Sequence, residues 1–191
     1  MAVLDHATLI GEPIMKLTTV ACIGALLFTP VVHAQTQAAS TTAANPLSSV
    51  DRDFIQAATM SSSTEIDAGK IAHKNTSNAD VRSFARHMIA DHMRLTVQLK
   101  AVAPHGVVVP KDNSDTALLD SLKPLIGADF DRAYVRKMGL EMHKQTIAAF
   151  EKEAKEGENP SLKQAALEAL PTLREHYKMS QNLAEKLGVT E

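Results

Sequence analysis

Four long stretches of this chain repeat apolar residues every three or four positions. That spacing marks one face of an α-helix turned toward a core. The first stretch covers about residues 51–75, with Phe54, Ala58, Ser61, Glu65, Ala68 and Ala72 in register. The second, about 78–103, carries Val81, Ala85, Met88, His92, Leu95, Leu99 and Val102. The third, about 128–155, has Phe130, Tyr134 and Met138 on one stripe, then Leu140, His143, Ile147, Phe150 and Ala154 on a neighbouring one. The fourth, about 160–187, aligns Leu162, Ala166, Ala169, Leu173, His176, Ser180, Leu183 and Leu187. The plentiful Ala, Leu, Lys, Glu and Gln favour the same conformation.

Boundary residues agree with four helices. Ser49 or Asp51 is expected to cap the first, and Ser77 or Asn78 the second. Pro104 and Gly106 end the second, and "EGENP" stops the third. Pro171 interrupts the fourth and is expected to kink it. Gly69 inside the first is expected to mark close helix packing. The first and second helices, and the third and fourth, are joined by short connections and so should be antiparallel neighbours. The segment 104–127 is long and contains a short amphipathic helix at about 114–123. The expected fold is all-α: a ferritin-like antiparallel four-helix bundle over residues 50–188. One long crossover connection carries the short extra helix.

The N-terminus has a different character. "MKLTTVACIGALLFTPVVHAQ" begins at Met15 with Lys16, continues through the apolar run Leu17–Phe28, and closes on Pro30 and the small-residue site Val32-His33-Ala34. This is the order of a secretory signal peptide. Translation is expected to start at Met15 and cleavage to follow Ala34, so residues 1–34 are extension and signal peptide. Retention as an anchor is the other option, although the run is short for a membrane span. A lipoprotein anchor at Cys22 fits poorly, because Cys22 lies too early in the run. Residues 35–49, "QTQAASTTAANPLSS", read as a flexible linker. Cleavage removes Cys22, the only cysteine, so the mature chain would hold together by packing alone. Export places it in the periplasm or associated with the envelope.

With 20 basic and 22 acidic residues, the chain carries no excess charge for a nucleic-acid partner. It has no basic stripe or phosphate loop. No strong membrane insertion is expected after signal cleavage; a protein partner or homo-oligomer remains open.

The chemistry lies in the stripes themselves. Each carries one ionisable residue where an apolar one would do: Glu65, His92, His143 and His176. At a rise of about 1.5 Å per residue, all four fall near the middle of their helices, within about one turn of a common level. Three imidazoles and a carboxylate in an apolar layer suit a single zinc, copper or iron ion. Asp91 and Glu175 directly precede His92 and His176, and Glu141 is two before His143, so acids stand ready to orient the rings from neighbouring interfaces. Met88 and Met179 lie one turn from His92 and His176, as soft neighbours for Cu(I) or as gap-filling core residues. The alternative is a hydrogen-bond network that sets helix register, with the rings donating to Glu65, Ser61, Ser180 or Tyr134.

"DRDFIQAATMSSSTEIDAGKIAHKNTSNADVRSFARHMIADHMRL", "GADFDRAYVRKMGLEMHKQTIAAFEKEA" and "LPTLREHYKMSQNLAEKL" resemble, in that order, the helices of the exported domain-of-unknown-function 4142 family. The resemblance spans about residues 50–187. Its typical positions match Glu65, Asp91, His92, Phe130, Asp131, Tyr134, His143, Phe150, Pro171 and His176; Met142 departs, standing where members commonly carry an acid. The resemblance implies a ferritin-like fold and an exported protein, and no established activity. Ferritin's own di-iron chemistry does not carry over, because it needs Glu three residues before the histidine. Ile89 and Leu173 stand there. Three readings follow: a metal-binding module in envelope metal handling or stress tolerance, a structural or interaction module, and an oxidase or peroxidase. The last has no recognisable nucleophile, general base or substrate pocket behind it.

Overall fold

The computed structural model describes residues 47–190. The expected signal peptide, its cleavage site and most of the linker lie outside them. Every regular element among the described residues is helical: α1 (Ser49–Asn75), α2 (Ala79–Val102), α3 (Thr116–Leu122), α4 (Gly127–Tyr134), a π-helical segment (Val135–Met142), α5 (His143–Glu156) and α6 (Pro160–Leu187).

The caps explain the boundaries. Ser48 caps α1, one residue before Ser49 and three before Asp51, the two expected residues. Its hydroxyl accepts from Asp51 N–H while the Asp51 carboxylate accepts from Ser48 N–H, a reciprocal capping box. The end of the expected linker is therefore part of the fold, with Leu47 packed half-buried against the core. Asn78 caps α2, Asp115 caps α3, and Asn159 caps α6 with Pro160 at its first turn. Gly188 ends α6 in the left-handed conformation at φ 63°. Helix α6 continues through Pro171, which is solvent-exposed.

Helix α1 packs along α2, and α5 along α6; α1 also meets α5 and α2 meets α6, which closes a ring of four. Gly69 allows the close approach of α1 to α2: a Cβ there would lie 2.6 Å from Ile89 Cγ1. The crossover between α2 and α4 is pinned to α1, where Ser114 Oγ donates to Asp67 Oδ2 at 2.9 Å and Asp115 N–H to Thr64 Oγ1 at 2.9 Å.

The core has two apolar halves. One gathers Ala68, Ala72, Phe84, Met88, Leu122, Phe130, Tyr134, Met138 and Leu183. The other gathers Phe54, Ala58, Leu99, Phe150, Leu162, Ala166 and Leu173. Each such Leu or Phe contributes roughly 1.5–3 kcal/mol by leaving water. Between the halves on every long helix, in chain order, stands a polar residue: Glu65, His92, His143 and His176, all 2% exposed or less.

The third stretch needed two stripes because its middle is not α-helical. Phe130, Tyr134 and Met138 are spaced by four, but the residue that reaches the polar layer, His143, comes five after Met138. A π turn closes i→i+5 and so accommodates one extra residue. The segment Val135–Met142 is that turn, and it rotates His143 into the interior.

Candidate functional site

The rings of His92, His143 and His176 meet between the two apolar halves. Their centroids are 5.7 Å (92–143), 5.6 Å (92–176) and 5.4 Å (143–176) apart. One nitrogen from each ring lies within 4.8 Å of the others. Three different helical elements supply them: α2, the start of α5 and α6.

Each ring is held from outside. His143 Nδ1 is 2.8 Å from the Met138 carbonyl, which the π turn leaves within reach. His176 Nε2 is 2.9 Å from Asp91 Oδ2, itself paired with Arg94 at 2.9 Å. His92 Nδ1 is 3.3 Å from Ser62 Oγ. Burial pushes all three imidazoles below their ordinary value: His92 well below, His143 to about 4, and His176 less far because the Asp91 hydrogen bond works against it. The rings are therefore neutral near pH 7.

Neutrality determines where the protons sit. A carbonyl and a carboxylate only accept, so His143 must donate from Nδ1 and His176 from Nε2. The remaining nitrogens, His143 Nε2 and His176 Nδ1, are 3.4 Å apart. Both present lone pairs. His92 Nε2 is buried and has no hydrogen-bond partner among the described residues. With the His92 proton on Nδ1, toward Ser62 Oγ, a third lone pair joins these two in one dry layer, and the three nitrogens could hold a metal ion. In a tetrahedral zinc site with Zn–N of about 2.0–2.1 Å, ligand nitrogens lie roughly 3.3–3.4 Å apart, which is the separation already present between His143 and His176.

Glu65 takes a different place from the three rings. Its Oε1 is 3.3 Å from His143 Nδ1, on the side of the ring that faces the Met138 carbonyl rather than His176. Neither carboxyl oxygen makes a hydrogen bond among the described residues, and burial raises its pKa well above the usual range. Tyr134 is near; its phenol is pushed up by burial and then by Glu65.

Of the expected neighbours, Asp91 orients a ring, but it is His176 on α6 rather than His92 next to it in sequence. Glu175 is exposed. Met88 and the half-buried Met179 belong to the apolar half with Phe84 and Tyr134. Ser61 donates to the Ala58 carbonyl and Ser180 to the Gly139 carbonyl, so neither serves the rings; Ser62 does instead. The sequence pattern missed Ser62 because it lies one position off the stripe, and it missed the Met138 carbonyl because backbone acceptors leave no mark on side-chain periodicity.

The model of a domain of unknown function (DUF4142) matches residues 36–183. The chain belongs to this family. Its match takes in all three histidines, Glu65, Asp91 and Ser62. No curated protein and no solved structure matches the chain. Among the described residues no helix is long and apolar enough to cross a membrane.

Proposed function

We propose that this family member is an exported, ferritin-like four-helix bundle that binds one transition-metal ion (zinc, copper or iron) through His92, His143 and His176, in metal handling or stress tolerance in the cell envelope. The observation that carries this reading is the 3.4 Å approach of His143 Nε2 to His176 Nδ1, with both outer nitrogens already donating to acceptors. A metal ion between them would satisfy both lone pairs at once. Burial holds the His143 imidazolium down to about 4, so the rings meet as neutral ligands near pH 7, and an ion there would also reach His92 Nε2. The carbonyl, carboxylate and hydroxyl behind the rings are the kind of partners that orient metal-bound imidazoles. Glu65 stands behind His143 as a buried carboxyl that would offset the ion's charge by giving up its proton when the ion binds. The ring of four helix contacts and the long crossover support the bundle topology, and the order of residues 15–34 supports export.

The test is elemental analysis of residues 35–191, produced by export and purified without a histidine tag. A variant with His92, His143 and His176 all changed to Gln serves as control. About one equivalent of metal, lost in the variant, is expected. No metal in either, with the variant less stable, would make the layer a hydrogen-bond network. N-terminal sequencing of the exported protein should begin at Gln35; a retained leader would overturn cleavage after Ala34.

A further inference from the structure

The apolar half of the core that contains Phe54 and Phe150 is incompletely filled beside the histidine layer. A cavity of about 20 Å³ opens there, more than one water-sized molecule needs. Its walls come from α1, α2, α5 and α6. Phe54 and Phe150, packed edge to face at 4.8 Å, form one side. Ala58, Ala165 and Ala169 leave the space, because each stops at a methyl group where a longer side chain would close it. No charged residue lines it.

Its hydroxyls are not free to solvate a polar guest. Thr59 donates to the Ile55 carbonyl at 2.8 Å and Thr96 to the His92 carbonyl at 2.8 Å, so both hydroxyl protons are engaged by the backbone. The third hydroxyl is Ser62, which is 3.3 Å from His92 Nδ1. Two of the cavity's wall residues, Ser62 and Thr96, therefore hold His92, one at its ring and one at its backbone. An occupant of this space would press on the hydrogen bond that orients the His92 ring.

We propose that the cavity is a binding site for a small uncharged molecule of diatomic size, of the dioxygen type, and that Ser62 couples its occupancy to His92. The binding part stands whether or not the layer holds metal; the value of the coupling for function rests on the metal-binding reading. A largely apolar wall, engaged hydroxyls, a single side-chain amide from the exposed Gln98 and a volume too small for a ring compound favour this class over anions and larger organic ligands.

Xenon is the probe, used on the metal-free protein. Crystals pressurised with xenon should show one atom between Phe54, Ala58 and Phe150, and in solution the ¹⁵N resonance of His92 Nδ1 should move as xenon is added. Ala165→Leu, at the half-buried rim, should reduce occupancy at least tenfold while the chain still folds. Ser62→Ala should keep xenon but lose the His92 response. No xenon at saturating pressure, or an ordered water that xenon does not displace, would overturn the site. Xenon binding without any movement of His92 would overturn the coupling. Because neither arm uses metal, failure here is separable from failure of the metal site.

Discussion

Glu153→Gln should make the protein more stable at and above neutral pH, by an amount that the surroundings of Glu153 set. Glu153 is fully buried, and among the described residues neither carboxyl oxygen has a hydrogen-bond partner apart from what Asp51 can offer. Burial raises Glu153 from 4.5 to about 7, and the charge and side chain of Asp51 add to the shift. Asp51 keeps its charge. Burial works to raise it too, but the N–H groups of Asn159, Ser48 and Glu158 hold it below the usual range. Two carboxyls side by side share a proton, and Glu153 is the one that carries it. In the unfolded chain Glu153 titrates near 4.5. Its stabilising contribution is therefore complete below about pH 4.5, falls as pH rises from there to about 7, and is absent above. The gap between 4.5 and about 7, at about 1.4 kcal/mol per pH unit, sets a loss of roughly 3–4 kcal/mol. Gln keeps the shape and donates an N–H to Asp51 at every pH. The buried histidines act in the opposite sense. Their lowered values give stability that is present above 6.5 and lost as pH falls, His143 toward about 4. The difference between variant and parent cancels them. Urea unfolding of both proteins at intervals from pH 4 to 8 should show a difference near zero at pH 4 that grows to about 3 kcal/mol by pH 7.5. A difference that does not change with pH, or a variant less stable throughout, would refute the shared-proton account.

Asp91→Asn should weaken metal binding by about 10- to 100-fold, read by competition with a chromogenic chelator, because His176 loses the carboxylate behind Nε2. Gly139→Ala should cost about 1–3 kcal/mol in urea unfolding, since its Cβ would lie 2.5 Å from Ser180 Cβ where the π segment meets α6. Asn78→Ala should cost about 1 kcal/mol in the same assay, through loss of the side-chain cap that accepts from Asp80 and Val81 N–H.

Much of this architecture is legible as periodicity. Helix α6 can be bounded from Asn159, Pro160 and Gly188 because its caps are local and chemical. The inward direction of His92 follows from Met88 and Leu95 on either side, since each step in an α-helix is a fixed rotation. The same logic falters at His143. A five-residue step from Met138 is not an α-helical step, so the third stretch reads as two stripes. The step is itself a signal: a buried run that jumps from a spacing of four to five marks a π turn. What periodicity does not encode is the ring orientation. The partner of His176 is Asp91, 85 residues away on another helix, and the partner of His143 is a carbonyl. Glu65 shows the limit of counting levels. It lies at the right height, yet it faces the outer nitrogen of His143, because height along a helix says nothing about which side of a neighbouring ring a carboxyl reaches.

The central claim is that three imidazoles and no fourth histidine meet at one ion. X-ray absorption on the mature protein, loaded with one equivalent of zinc, counts those ligands directly. The account predicts a first shell with multiple-scattering features of three imidazoles at about 2.0–2.1 Å, falling to two in His92→Gln. A shell of oxygen atoms alone, or an imidazole count unchanged in that variant, would contradict it.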